Sequence, residues 1–558
     1  MKKKWLMLMF TLMLSMVLVL AACSDEGSDS EESDDDATDT EETDSDDSAA
    51  GESEAGENVL VVNNESEPTS LDPPIGNDQY SYDVLNNIGE GLTRLGADEA
   101  VPEPAMAEDW DVSEDGLTYT FNLREGITWT NGEPVTAQDF EFSWKRLADP
   151  DTASPAAQHS YWIAGAEEFN AGEADEEDVL VTAIDDQTLE VVLENPTEFF
   201  PSITAMPQLF PVHKETVEED DNWAGSLDTI VTNGPFKMAE WDHDVRILLE
   251  RNEDYWDAEN VALDGVQYEM IDDSSTAYQL YEDGTLDTVA MPADMIETLI
   301  DSEDAFVAPR AGIEFQRFNV NEEPFHNKKI RQAFNYAIDS QIIVDRIIQG
   351  DENIAEGFVA YGFLTPDGED FRDVADSHYP YDPETAQQLL EEGMAEEGYD
   401  ELPTVTFSYN TSDQHSIVSQ AIQEMILENL GIDIQLENSE WAVFMEAQQG
   451  LELQYSRSSF LGGYNDPINF LTNFTTDNPM NRTDFSNEEF DALINSSYEE
   501  DDANARFDLL LEAEALLMEE APIVPLYFYN HTFLYKPEVN NIVRHPVGFV
   551  EFKYASLD

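Results

Sequence analysis

The clearest periodicity in the chain lies between Thr404 and Leu436. Val405, Phe407 and Tyr409 alternate with Thr404, Thr406 and Ser408, the two-residue repeat of a half-buried strand. Val418, Ile422, Met425, Ile426 and Leu430 follow at helical spacing, and Gly431 stands where a left-handed residue would end that helix. Ile432, Ile434 and Leu436 then alternate as a second strand. Strand, helix and strand at this length predict a βαβ crossover with parallel strands. Such sheets bind ligands beyond the carboxyl ends of their strands, here at Thr411, Ser412, Asp413 and His415.

Earlier segments carry a different pattern. Leu117, Tyr119, Phe121 and Leu123 alternate after Asp115-Gly116, which predicts a hairpin over residues 110–123. Asn131-Gly132 marks a further turn. Thr136 and Asp139 open a helix with Phe140, Trp144 and Leu147 on one face, and Asp149-Pro150 stops it. Residues 90–200 therefore form a mixed α/β unit with antiparallel strands. Near the other end a helix is expected to start at Ser486, with Glu489 completing a capping box and Phe490, Leu493 and Ile494 inward. Pro522 to Tyr529 reads as a buried strand. No internal repeat is present.

The N-terminus changes the compartment. Lys2, Lys3 and Lys4 precede an apolar run from Trp5 to Leu20, the form of a secretory signal rather than of a membrane span. The run ends in Leu20-Ala21-Ala22-Cys23, which holds the chain's only cysteine and resembles the lipobox of bacterial lipoproteins. Acylation there would anchor the mature N-terminus by burying methylenes in a membrane. Ser24 to Glu57 has no aromatic or large aliphatic residue and many like charges, so it reads as an extended tether reaching at most about 120 Å. The segments expected are thus a signal peptide over 1–22 and a lipidated tether over 23–57.

Composition then narrows the partners. The chain carries 122 acids against 24 bases, a net charge of −98. That balance argues against nucleic acid, which needs clustered cations. It fits a very salty medium, where self-repulsion is screened. Catalytic signatures are absent from the sequence. There is no Gly-Lys-Ser/Thr phosphate loop, no Gly-x-Ser-x-Gly elbow and no histidine pair at i, i+4. No enzyme activity, metal or cofactor is expected.

Several segments together resemble the oligopeptide-binding proteins of ABC importers, the dipeptide/oligopeptide class of extracellular solute-binding proteins. They are Glu67 to Pro73 (EPTSLDP), Glu90 to Arg94 (EGLTR), Asp115 to Arg124, Trp129 to Phe140, Asn233 to Phe236, Arg251 to Trp256 and Tyr464 to Pro467. The resemblance implies an α/β, two-lobed periplasmic-binding-protein-like fold with an extra α/β domain and a ligand cleft between the lobes. Lobe I would combine 58–89, 201–289 and 531–558, the extra domain 90–200, and lobe II 290–530. The implied partners are an oligopeptide ligand, the permease and ATPase subunits, and the membrane through the lipid on Cys23; a monomer is expected.

The resemblance also implies site residues. Ser459, Phe460 and Leu461 match the segment that pairs with the peptide backbone, followed by Gly463, Tyr464, Asn465 and Asp466. His415 and Arg457 match two groups that meet the ligand's carboxylate. Relatives carry a lysine where this chain has Glu322, and an arginine near Gln448. The carboxylate that pairs with the ligand's α-ammonium is replaced by Gly463, and a second acidic position by Asn77. Asp466 also reads as a turn residue, His415 as a helix cap and Gly463 as a backbone requirement. Either a nearby acid such as Asp466 or Asp78 receives the ammonium, or the ligand lacks a free α-amino group. Blocked peptides, cell-wall peptides and other small solutes remain alternatives, as does a lipoprotein outside transport.

Overall fold

The computed structural model describes residues 58–96, 101–220, 222–476, 478–500 and 502–558. The expected signal peptide, Cys23 and the acidic tether lie outside them.

Ten strands make one mixed sheet. In spatial order they are Gln435–Ser439, Thr406–Asn410, Tyr455–Leu461, Ala305–Phe318, Ile523–Tyr535, Thr288–Ala290, Val59–Asn63, Gly265–Glu269, Arg246–Arg251 and Phe236–Asp242. The βαβ unit is present: Thr406–Asn410 pairs in parallel with Gln435–Ser439, and the helix Asp413–Leu430 joins them. Gly431 adopts φ +71°, the left-handed cap its position predicts. The second strand starts only at Gln435, because buried Ile434 packs before the pairing begins. Under this half lies an aromatic cluster. Phe318, Phe325, Phe334, Phe407 and Tyr455 are all buried, with Phe318 and Phe325 centroids 4.4 Å apart. Burial of each such ring contributes about 1.5–3 kcal/mol, which fixes the strands that carry the site.

Two long antiparallel strands, Ala305–Phe318 and Ile523–Tyr535, run through the middle of the sheet. One end of the pair meets Thr288–Ala290 and the other meets Tyr455–Leu461. Between them the register slips: Pro309 faces Asn530 and Ile313 faces Phe528, so Arg310, Ala311 and Gly312 stand opposite Tyr529 alone. Such a bulge bends the strand and re-aims its side chains. Its backbone is fastened on both sides, with Ala311 N–H donating to Pro546 O and Gly462 N–H donating to Ala311 O, each at 2.7 Å. The expected lobe boundary at 530/531 falls beside this bulge, inside a continuous strand.

Residues 107–192 build a separate antiparallel sheet of four strands, ordered Ala107–Val112, Thr118–Leu123, Thr188–Val192 and Val181–Asp185. The predicted hairpin supplies its first two strands. The helix Ala137–Ala148 packs nearby, capped through Thr136 and Asp139 as the sequence predicts. One expected start is corrected. The helix Glu488–Glu499 is capped by Asn487, not Ser486. The Asn487 amide oxygen accepts from the N–H groups of Glu489 and Phe490, while the Ser486 hydroxyl is bonded to Thr476.

Candidate functional site

Ser459, Phe460 and Leu461 end the strand Tyr455–Leu461, which pairs along its whole length with Ala305–Phe318. Its other neighbour, Thr406–Asn410, pairs with Tyr455 and Ser456 only. From Arg457 outward this strand therefore has one sheet neighbour and one open edge. Leu461, Gly462 and Gly463 continue from that edge into the wall of a cavity of about 190 Å³. Gln79, Tyr82 and Gln208 face them, with Arg310 and Pro546 at the side. Gln79 and Arg310 also line an adjoining cavity of about 400 Å³.

Gly463 is not required by the backbone. A Cβ built there meets no atom within 4 Å, and its φ lies outside the left-handed region. The reading of Gly463 as a steric necessity is thereby corrected. No carboxylate lines the smaller cavity, and Arg310 is the one group there that is always charged. His159 also lines it, and burial lowers its pKa to about 4, so it is neutral at pH 7.

The two acids considered as ammonium partners are already engaged. Asp466 is buried and holds Arg506 in a bidentate pair at 2.8 and 2.9 Å, while also accepting from Ile468 N–H. Asp78 caps the helix Gln79–Ile88, accepting from Ser81 N–H at 3.0 Å and from the Ser81 and Thr69 hydroxyls. Tyr464 stacks on Phe199 (5.4 Å, 4°) and meets Trp162 edge-on, so it joins this loop to residues 162–199. Asn465 sits between the two in the same turn. Asn77 is exposed and outside both cavities, but its Oδ1 accepts from the Tyr82 hydroxyl at 2.9 Å.

Arg457, near the start of the same strand, lies close enough to His415 to act on its charge. Arg457 donates to both oxygens of buried Glu314 at 2.6 and 2.5 Å, and Tyr529 donates to the same carboxylate. Burial works against the Arg457 charge, but Glu314 outweighs it and the pKa ends above its ordinary value. His415 lies in the first turn of its helix, donating its N–H to Ser412 Oγ. Burial, then the charge of Arg457, lowers its pKa, and its Nδ1 is buried without a partner. Glu322 is exposed.

Sequence reasoning missed other cations. Near Gln448 a positive group arrives from a different segment: Arg482 donates to Gln448 Oε1 at 3.2 Å. Buried Arg317 donates to Ser458 Oγ and Met480 O, and burial, with Arg482 nearby, lowers its pKa to about 9. Arg310 and Arg544 were missed as well. The available signal was scarcity, since 24 bases in 558 residues make each one worth placing. Among the described residues no group of three or more metal-ligating side chains is present, and no helix is long and apolar enough to cross a membrane.

The family profile of bacterial extracellular solute-binding proteins, family 5 middle, matches residues 101–482. The chain is 48% identical over 497 residues to the dipeptide-binding protein DppE of Bacillus subtilis, covering 89% of this chain and 91% of that one. It superposes on the unliganded open form of the periplasmic murein tripeptide binding protein MppA with a TM-score of 0.78 and 29% identity, covering 90% and 98%. The peptide-bound OppA of Listeria monocytogenes matches with a TM-score of 0.72 and 30% identity, covering 90% and 99%. Matches of this extent show the family: the chain belongs to the bacterial extracellular solute-binding proteins of family 5.

Proposed function

We propose that the mature chain is a lipid-anchored receptor that binds short peptides in the cleft between two lobes and delivers them to the permease and ATPase of an ABC importer. The observation that carries this reading is the open edge at Ser459, Phe460 and Leu461 beside the cavities. An extended peptide can add there as a strand, through backbone bonds that tolerate many sequences. Lobe I is assigned to 58–89, 201–289 and 531–558, the extra domain to 90–200 and lobe II to 290–530, with the bulge at Arg310–Gly312 as part of the hinge. His415 and Arg457 face the ligand's carboxylate end. Gly463 and Tyr464 form the wall at the amino end, with Asn77 behind it through Tyr82. Asn465 and Asp466 hold the turn. The chain acts as a monomer, catalyses no reaction and works in a salty medium that screens its charge.

The lining of the smaller cavity favours one version of this reading. A buried ammonium without an acid costs several kcal/mol, and the wall at Gly463 offers Arg310 instead. We therefore assign cargo whose amino end is blocked or turned away from Gly463. Calorimetry with Ala-Ala-Ala and N-acetyl-Ala-Ala-Ala tests this: the acetylated peptide should bind at least as tightly. A strong preference for the free amine would refute it. The anchor has its own test. Cys23→Ser should move the protein from the membrane fraction to the medium, and retention in the membrane fraction would contradict lipidation.

A further inference from the structure

The larger cavity holds two cations that, among the described residues, form no ion pair. Arg310 projects from the bulge and, among the described residues, makes no hydrogen bond or ion pair. Arg544 enters from the C-terminal segment. Its Nε donates to the Tyr535 hydroxyl at 2.7 Å, and its guanidinium lies 3.5 Å from the centre of the Phe533 ring. Those two contacts fix the plane of the guanidinium and leave both terminal nitrogens without a protein acceptor. Between them His531, 8% exposed, lines the cavity with its Nε2 unpartnered. In a chain with 122 acids, two arginines that form no ion pair need another explanation than charge balance.

The acids of the cavity act on the two arginines only at a distance. Asp83 and Glu65 also line it, but neither lies within ion-pair distance of either arginine. The Asp83 carboxylate accepts from Gln79 Nε2 at 2.6 Å, and burial lifts its pKa to about 6 although Arg544 and Arg310 pull it down. Glu65 accepts from the Tyr80 hydroxyl at an exposed position. The cavity thus has a cationic wall, in which Arg544 is held by its contacts and Arg310 is not, and an acidic wall that would turn an anion toward it. Its volume of about 400 Å³ corresponds to about a dozen water molecules, room for a side chain but not for a folded partner.

We infer that Arg310 and Arg544 form a carboxylate subsite, so that the preferred cargo is a peptide carrying an acidic group that enters this cavity. The inference deepens the peptide reading above and rests on it. A guanidinium fork matches a carboxylate in geometry, and the apolar Phe533 face strengthens the pairing by limiting water.

The test titrates the purified protein, at constant salt, with tripeptides of alanine carrying glutamate or glutamine at each position in turn. At one position glutamate should bind about tenfold or more tightly than glutamine, the scale of a charge-assisted hydrogen bond. Arg310→Gln and Arg544→Gln should each bring the glutamate-to-glutamine affinity ratio to within about twofold of one, read as a ratio within each variant. Arg310→Gln removes no hydrogen bond inside the chain, so it carries the test even if Arg544→Gln unfolds. Glutarate and its diamide are compared in parallel by saturation-transfer NMR. Tripeptide binding with no glutamate preference, or a preference that survives both substitutions, overturns the subsite and keeps the peptide reading. Arginine-dependent binding of glutarate without any tripeptide binding overturns the peptide reading and keeps the subsite. No binding of either overturns both.

Discussion

Asp466→Ala is expected to destabilise the protein by about 3–5 kcal/mol, one of the two largest effects foreseen here. The Asp466 and Arg506 side chains are 6% and 5% exposed, and their two hydrogen bonds are the partnership that keeps the guanidinium in place. Without the carboxylate, Arg506 stays buried near Phe199, 5.1 Å from its ring centre, and Glu198, a weaker influence than Asp466, is left to support its charge. Ile468 N–H loses its acceptor at the same time. Burial pulls the Arg506 pKa down and its acidic neighbours, Asp466 first, more than restore it, so removing Asp466 removes the largest influence that favours the charged arginine in the interior. The effect should reach the ligand, because Tyr464 packs on the same Phe199 and precedes Asp466 by two residues. Urea unfolding should show a lower midpoint with unchanged slope. A shift worth less than about 1 kcal/mol would mean that the pair is no more than a surface-like contact.

The second large effect concerns binding. Gly463→Asp should fold normally, since its Cβ enters open space and its backbone is not left-handed. The new carboxylate would stand in the wall of a cavity that contains no other acid. Affinity for Ala-Ala-Ala should rise by about 10- to 100-fold relative to its acetylated form, the range of a hydrogen bond between charged groups. Arg310 lines the same cavity and would compete for the new acid, so the gain should be larger in the Gly463→Asp, Arg310→Gln double variant. Calorimetry on the two variants measures both effects. Unchanged selectivity in the double variant would show that the ligand's amino end lies elsewhere.

These two residues also show how far the sequence could be read. The pattern at Thr404–Leu436 announced a βαβ unit because its apolar positions recur at strand, helix and strand spacing in turn and Gly431 marks the boundary. Of the two long central strands, Ile523–Tyr535 was announced over its first half by the apolar run Pro522 to Tyr529, whereas Ala305–Phe318 gave no such signal. Ala305–Phe318 is buried on both faces near its end, where Glu314 and Arg317 interrupt the apolar run yet are buried by pairing with Arg457 and Ser458. The start at Ser486 was wrong by one residue because serine and asparagine cap equally well, and only the side-chain geometry shows that Asn487 does so.

The candidate site could be named in the sequence as a set of segments, but the side-chain partners within it could not. The motif around Tyr464 to Pro467 located the loop, whereas the acid that looks available in it belongs to Arg506, forty positions away. The missing carboxylate at Gly463 was visible in the sequence. That the backbone does not demand glycine there is a three-dimensional fact. Arg310 and Arg544 come from segments more than 200 residues apart and meet only through a bulge that no periodicity predicts.

The central claim is that the cleft carries a peptide, and the cargo itself tests it most directly. Protein purified from its native membrane at high salt, without denaturation, should release peptides on unfolding, read by mass spectrometry. The account predicts short peptides enriched in acidic residues, with blocked or modified amino ends. Recovery of a single non-peptide solute in stoichiometric amount would contradict it.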